Sequence, residues 1–201
     1  MTWIKTISYQ AADGKLKRLY DRIKGPDDNV DNIMLAHSLR PHTMEGHMAL
    51  YKHVLHHPRN SLPKVYLETI GVYVSSLNNC DYCVEHHFGG ISRLLDDDER
   101  AASVRSALES RNPSLAFSGV ELAGLEYAAK ITIDAASVSA SDIDELRRAG
   151  FDDGQILEIN QVAAYFSYAN RMVLGLGINT EGDIIGLSPG DSENPDNWSH
   201  R

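Results

Sequence analysis

Asn78-Asn79-Cys80-Asp81-Tyr82-Cys83-Val84-Glu85-His86-His87 stands between two runs of helical periodicity and decides how the chain is read. Upstream, Val65, Tyr66, Thr69, Ile70, Tyr73 and Leu77 recur at three- and four-residue intervals. Downstream, Cys80, Cys83, Phe88, Ile91 and Leu95 do the same. The two asparagines interrupt the pattern, so two helices are expected, Leu62 to Leu77 and one starting at the break. Ser61 is the expected N-cap of the first, with Pro63 in its first turn.

The rest of the chain repeats this grammar. Ala11 to Lys24 places Leu16, Leu19, Tyr20 and Ile23 on one stripe. Asp31 to Leu39 forms a short helix stopped before Pro41, and Thr43 to His57 follows until Pro58. Asp97 to Leu108 starts acidic, as the helix dipole favours, and Gly119 to Ala136 comes next. Ser139 with Asp142, and Asp152 with Gln155, are capping-box pairs opening the last two helices; Gly150 closes the first, and the second runs to about Leu176. Strand signals are scarce, and the predicted class is all-α. Residues 1–187 are expected to form one helical domain with a redox core at about 62–108. The polar segment 188–201, with two prolines and a glycine, is expected to be a mobile tail.

Composition narrows the function. The 201 residues are 42% hydrophobic and 23% charged, values of a folded globular protein. Nineteen basic against 28 acidic residues leave a formal charge of −9, which repels a phosphate backbone and argues against nucleic acid as a partner. No apolar run reaches the roughly 20 residues needed to cross a bilayer. The start Met1-Thr2-Trp3-Ile4-Lys5 lacks the apolar core of a secretion signal, so a cytoplasmic location is expected.

Cys80 and Cys83 are the only cysteines. Two thiols make no disulfide framework, and the C-x-x-C spacing points to redox or metal chemistry. If Asn79 caps the helix, both lie in its first turn, where unpaired N–H groups favour a thiolate. His87 is four residues past Cys83 and shares its face, whereas His86 is rotated by about 100° and should point elsewhere. His87 is therefore the base placed to take a proton from Cys83. Glu68 lies on the preceding helix among apolar neighbours, and an antiparallel pairing returns it to the cysteine helix; a solvated surface glutamate is the other reading.

Glu68, Cys80, Cys83 and His87 match the E-x11-C-x2-C-x3-H pattern of the alkylhydroperoxidase D (AhpD)-like branch of the carboxymuconolactone decarboxylase superfamily. The segment Ala163-Ala164-Tyr165-Phe166-Ser167-Tyr168-Ala169-Asn170-Arg171, followed by Gly175-Leu176-Gly177, resembles the C-terminal signature of its peroxidase-related members. Leu146-Arg147-Arg148-Ala149-Gly150 and Ile156-Leu157-Glu158-Ile159 are also similar to that subgroup, and the resemblance spans about residues 5 to 185. It implies an all-helical trimer or hexamer that reduces hydroperoxides without a bound cofactor or metal. It implies Cys83 as peroxidatic nucleophile, Cys80 as resolving thiol, Glu68 and His87 as proton relay, and a dithiol reductant, such as a lipoyl group. It also places Asn170 and Arg171 at the pocket or an interface. Tyr82 departs from the pattern, standing where studied members have a relay histidine; it is read either as a hydroxyl donor or as a packing aromatic.

Other readings stay open: a disulfide oxidoreductase without a peroxide substrate, a decarboxylase-like member, and a non-enzymatic zinc-stabilised subunit. In thioredoxin-type C-x-x-C motifs the first cysteine attacks, which stands against the choice of Cys83. His37, His42, His47, His53, His56 and His57 are read as surface or satisfied histidines, and Asp96 to Glu99 as a solvated helix start.

Overall fold

The computed structural model describes residues 2–190, 192–194 and 197–200. Its helices are α1 (Gly14–Ile23), α2 (Asn32–Ala36), α3 (Pro41–Leu55), α4 (Lys64–Leu77), α5 (Asp81–Leu95), α6 (Asp98–Glu109), α7 (Gly119–Asp134), α8 (Ala140–Ala149) and α9 (Asp153–Leu176). No strand occurs among the described residues; Pro189 and His200 form an isolated antiparallel bridge. The class is all-α, as expected, and no helix among the described residues is long and apolar enough to cross a membrane.

Helix α4 is the axis of the molecule. Ten consecutive residues, Tyr66 to Ser75, are buried, so the helix has no solvent face. It packs against α5, α9, α7, α6 and α3. Close approach depends on glycine: a Cβ on Gly71 would lie 2.1 Å from the Phe166 ring of α9. One apolar cluster draws on every helix, and a smaller one of Ala36, Cys80, Tyr82, Cys83, Val173 and Ile178 surrounds the sulfurs.

The capping signals hold where they are local. Gln155 N–H donates to Asp152 (2.8 Å) and Asp152 N–H to the Gln155 side chain (3.1 Å), opening α9. Ser139 N–H donates to Asp142 (2.7 Å), Gly150 closes α8 in the left-handed region, and Asp97 caps α6. Several boundaries differ, three of them instructively. Pro41 is the first residue of α3 rather than part of the preceding gap, since proline lacks only an N–H that a first helical turn leaves unpaired. Ser61 does not cap α4; its N–H and hydroxyl, with Leu62 N–H, bind the Glu158 carboxylate of α9 (2.8, 3.1 and 2.9 Å), and Pro63 is the cap position. Asn79 does not cap α5. It takes the left-handed conformation (φ 56°) that ends α4, with Asn79 N–H on Ser76 O (3.1 Å) and Cys80 N–H on Ser75 O (2.9 Å). Cys80 thereby becomes the N-cap of α5, one residue later than expected.

After α9 the chain returns across α2 and α5. Gly186 lies against Gly89, where a Cβ would meet Gly186 Cα at 3.0 Å, and Arg93 donates to Gly186 O. The segment from Ser188, expected to be mobile, is seated on the domain in its described part. Trp198 is buried with Arg22 over its ring (3.7 Å), His200 is buried, and Lys52 donates to Gly190 O. Asp191, Pro195, Asp196 and Arg201 lie outside the described residues.

Gly71→Ala should destabilise the fold by about 1–3 kcal/mol through the clash with Phe166. A urea titration should show a lowered midpoint with an unchanged slope.

Candidate active site

The turn between α4 and α5 sets the two sulfurs. Cys80, locked as the last residue of one motif and the cap of the next helix, and Cys83, one turn on, are free thiols with Sγ atoms 3.3 Å apart. A disulfide needs about 2.05 Å, so a small approach would join them. Their exposures differ in kind. Cys83 lines a cavity of ≈ 40 Å³, whereas Cys80 is packed behind it against Ala36, Val173 and Ile178. The S–H of each bears on the other. Hydrogen bonding from Cys83 lowers the Cys80 thiol below its ordinary value, and the same contact, with burial, holds Cys83 well above its own. Both effects disfavour the ionised form of the sulfur that faces the cavity. At Cys83 this opposes the thiolate that a first-turn position was expected to favour. Asn170, fully buried, bonds Asn78 (2.9 Å) and Ser75 (3.0 Å) and stands beside both thiols, where its side chain favours their ionised forms.

The antiparallel pairing of α4 with α5 carries Glu68 to His87. The carboxylate is 2% exposed, which removes the surface-glutamate reading, and its Oε2 lies 2.7 Å from His87 Nδ1. The other oxygen faces His56 Nε2 at 3.8 Å. Burial opposes the charge on Glu68, yet the His87 charge and hydrogen bond, with His56, leave the carboxyl below its ordinary value. Phe166 meets the His87 ring edge-on at 4.6 Å and restricts its rotation.

Cys83, Glu68 and His87 line one cavity. Tyr82 lines it too, and both of its readings are partly met: the ring lies over His86 (4.4 Å), and the hydroxyl donates to Asp183 (2.7 Å). Arg171 is exposed and donates to Ser167 O (2.6 Å) on its own helix, so it is not a pocket residue. The α5 rotation argument fails for His86, which lines the cavity beside His87 and bonds Asp183 (3.2 Å). A cavity broad enough to face two adjacent stripes of a helix receives both.

Several lining residues escaped the sequence reading. His47 and Tyr51 of α3 are buried on the stripe that holds Met44 and Met48, a signal present in the sequence. His47 meets the Tyr165 hydroxyl at 3.2 Å, and Tyr51 stacks on Tyr165 at 5.5 Å. Burial, reinforced by His37, His200 and His87, pushes the His47 value down to about 3, so its ring is neutral. Asp31 also lines the cavity, as do Leu187, Ser188 and His200 from the far end of the chain. No signal in the sequence joins these distant segments. Among the described residues no cluster of three His, Cys, Asp or Glu side chains is arranged to hold a metal ion.

The chain matches no family model and no curated protein. Solved structures do match. The AhpD core of an uncharacterized peroxidase-related protein from Ralstonia eutropha JMP134 superposes with a TM-score of 0.75 over 89% of this chain and 91% of that one, at 21% identity. The chain has the AhpD-like fold. An uncharacterized peroxidase-related protein from Silicibacter sp. TM1040 gives a TM-score of 0.71 at 23% identity over 90% and 93% of the two chains. The debrominase Bmp8 gives 0.66 at 17% identity over 89% and 90%. At these identities the likeness is one of fold, and the AhpD-like architecture is common to proteins named for different reactions.

Two outcomes follow from the geometry. Ending the chain at Leu187 removes Ser188 and His200 from the cavity lining. A maleimide should then label Cys83 faster than in the full chain, as read by mass spectrometry of timed samples. The second concerns pH. His47 lies near 3 when folded against 6.5 ordinarily, and His200 near 4, so both bind protons better unfolded. Stability should fall as pH drops from about 6.5, by up to about 1.4 kcal/mol per unit for each histidine. Asp31, raised to about 6, acts oppositely and weakens the fold as pH rises between 3.8 and about 6. His47→Gln should flatten the acid limb in thermal melts.

Proposed function

We propose that this protein is a thiol-dependent peroxidase that reduces small hydroperoxides through the Cys80–Cys83 pair. The observation that carries the reading is the pair of free sulfurs 3.3 Å apart, the second opening on a cavity shared with a buried carboxylate–imidazole couple. Cys83 is the nucleophile. His87 takes its proton, and Glu68 holds the imidazolium that forms. The thiolate attacks the terminal oxygen of the hydroperoxide, the O–O bond breaks, and a sulfenic acid and an alcohol result. Cys80 condenses with the sulfenic acid, releasing water and forming the disulfide. A small dithiol, for which a lipoyl group is a chemical model, restores both thiols by exchange.

Proton removal has measurable worth. An ordinary thiol of pKa about 8.5 is roughly 3% ionised at pH 7. Full ionisation on demand gains about 30-fold, near 2 kcal/mol, and avoids keeping a charged sulfur in an apolar pocket. The cavity supports small substrates: at ≈ 40 Å³ it has room for about three water-sized groups. Burial of both sulfurs disfavours exchange with protein thiols, the disulfide oxidoreductase alternative. Assembly into trimers or hexamers and a cytoplasmic location belong to the same proposal; light scattering tests the first.

One equivalent of an organic hydroperoxide should lower the intact mass by two hydrogens, and a digest should place the bond between Cys80 and Cys83. Cys83→Ser should abolish peroxide consumption. Cys80→Ser should allow one turnover and leave a sulfenic acid on Cys83 that dimedone traps. A sulfenic acid on Cys80, in protein lacking Cys83, would reverse the roles.

A further inference from the structure

Helix α5 presents two neighbouring stripes to the cavity. One carries Cys83 and His87; the other, one residue earlier at each step, carries Tyr82 and His86. Each stripe ends on a carboxylate from another element. His87 meets Glu68 at 2.7 Å, and Tyr82 and His86 meet the same oxygen of Asp183 at 2.7 and 3.2 Å. Asp183 is itself held by the Asn32 N–H, 3.0 and 3.1 Å from its two oxygens. Asn32 follows Asp31, which lines the cavity and makes no side-chain hydrogen bond among the described residues. The site therefore has two carboxylate–imidazole couples, and the cavity holds a further carboxyl, Asp31, that is hydrogen-bonded in neither.

The reaction proposed above needs two proton transfers at different places. The base must stand beside sulfur. The attacking sulfur, the oxygen it takes and the departing oxygen lie roughly in line, so the departing oxygen develops its charge on the side away from sulfur. A residue other than the base of Cys83 is best placed to protonate it. Resting on the peroxidase reading, we propose that Asp31 is the acid of this site, donating a proton to the departing oxygen, and that His86 and Asp183 are positioning residues for it. The bookkeeping closes. Cys83 passes its proton to His87; the thiolate forms the S–O bond; the O–O pair leaves on the alkoxide and takes the Asp31 proton. Sulfur is oxidised by two electrons and the peroxide reduced by two. The proton on His87 then returns to the Asp31 carboxylate, which resets both groups.

The electrostatics agree. Burial raises the Asp31 carboxyl to about 6, with Asp183 adding to the rise and His86 and His87 opposing it. It retains protons nearer neutrality than a surface aspartate, as a general acid requires.

The test compares two classes of oxidant on the full-length protein. Alkyl hydroperoxides leave as alkoxides and need the proton; a peroxycarboxylic acid leaves as a carboxylate and does not. Asp31→Asn should slow reduction of methyl and ethyl hydroperoxide by about 10²-fold while changing peracetic acid reduction only a few-fold. His86→Gln should give the same selective loss in smaller measure, and carries the comparison if Asp31→Asn does not fold. Equal slowing of both classes, or no slowing, overturns the role of Asp31 while leaving the peroxidase reading intact. Wild-type protein inert to both classes overturns the peroxidase reading and this inference with it.

Discussion

A carboxylate with almost no access to water must be repaid where it sits, and Glu68 is such a group. Its compensation comes from His87 at 2.7 Å on the next helix and His56 at 3.8 Å from the end of α3. Those partners exist only if α4 and α5 run antiparallel in one register. The Asn79 turn supplies that reversal by ending α4 in a left-handed residue and starting α5 at the next position. The same turn fixes the backbone of Cys80 and, one helical turn on, Cys83. Charge compensation, helix register and sulfur geometry are therefore one constraint.

The packing of α4 makes that constraint rigid. Buried on all sides, it cannot rotate Glu68 toward water, and Gly71 lets Phe166 approach closely enough to bracket the His87 ring. Around this core the cavity has walls of different character. Neutral His47 and the stacked Tyr51 and Tyr165 form an aromatic side; Asp31, Tyr82 and His86 form a polar one. Between them lies the Cys83 sulfur, whose ionised form burial and its contact with Cys80 disfavour.

Much of the helical layout was legible because its causes are local. Capping boxes at Ser139 and Asp152, glycine at 150 and apolar periodicity each act within a few residues. Of the boundaries that moved, the one at Ser61 did so for a non-local reason: Glu158 of α9 claims the N–H groups of Ser61 and Leu62. Cys83 and His87 were legible as a pair because four residues is about one helical turn, whereas the spacing alone left Glu68 open between a buried and a surface position. Arg171 lies away from the cavity; sequence position on α9 does not say which side of the helix meets it.

By itself the sequence determined an all-helical chain, a paired-thiol motif at a helix start, and a histidine one turn beyond it, since helical spacing follows from backbone geometry alone. Only the tertiary structure decided that Cys83 rather than Cys80 opens on the cavity, that His86 shares it with His87, and that Asp31, His47, Asp183 and His200 gather there. Those residues come from segments up to about 170 positions apart, and nothing short of the packed core brings such segments within reach of one another.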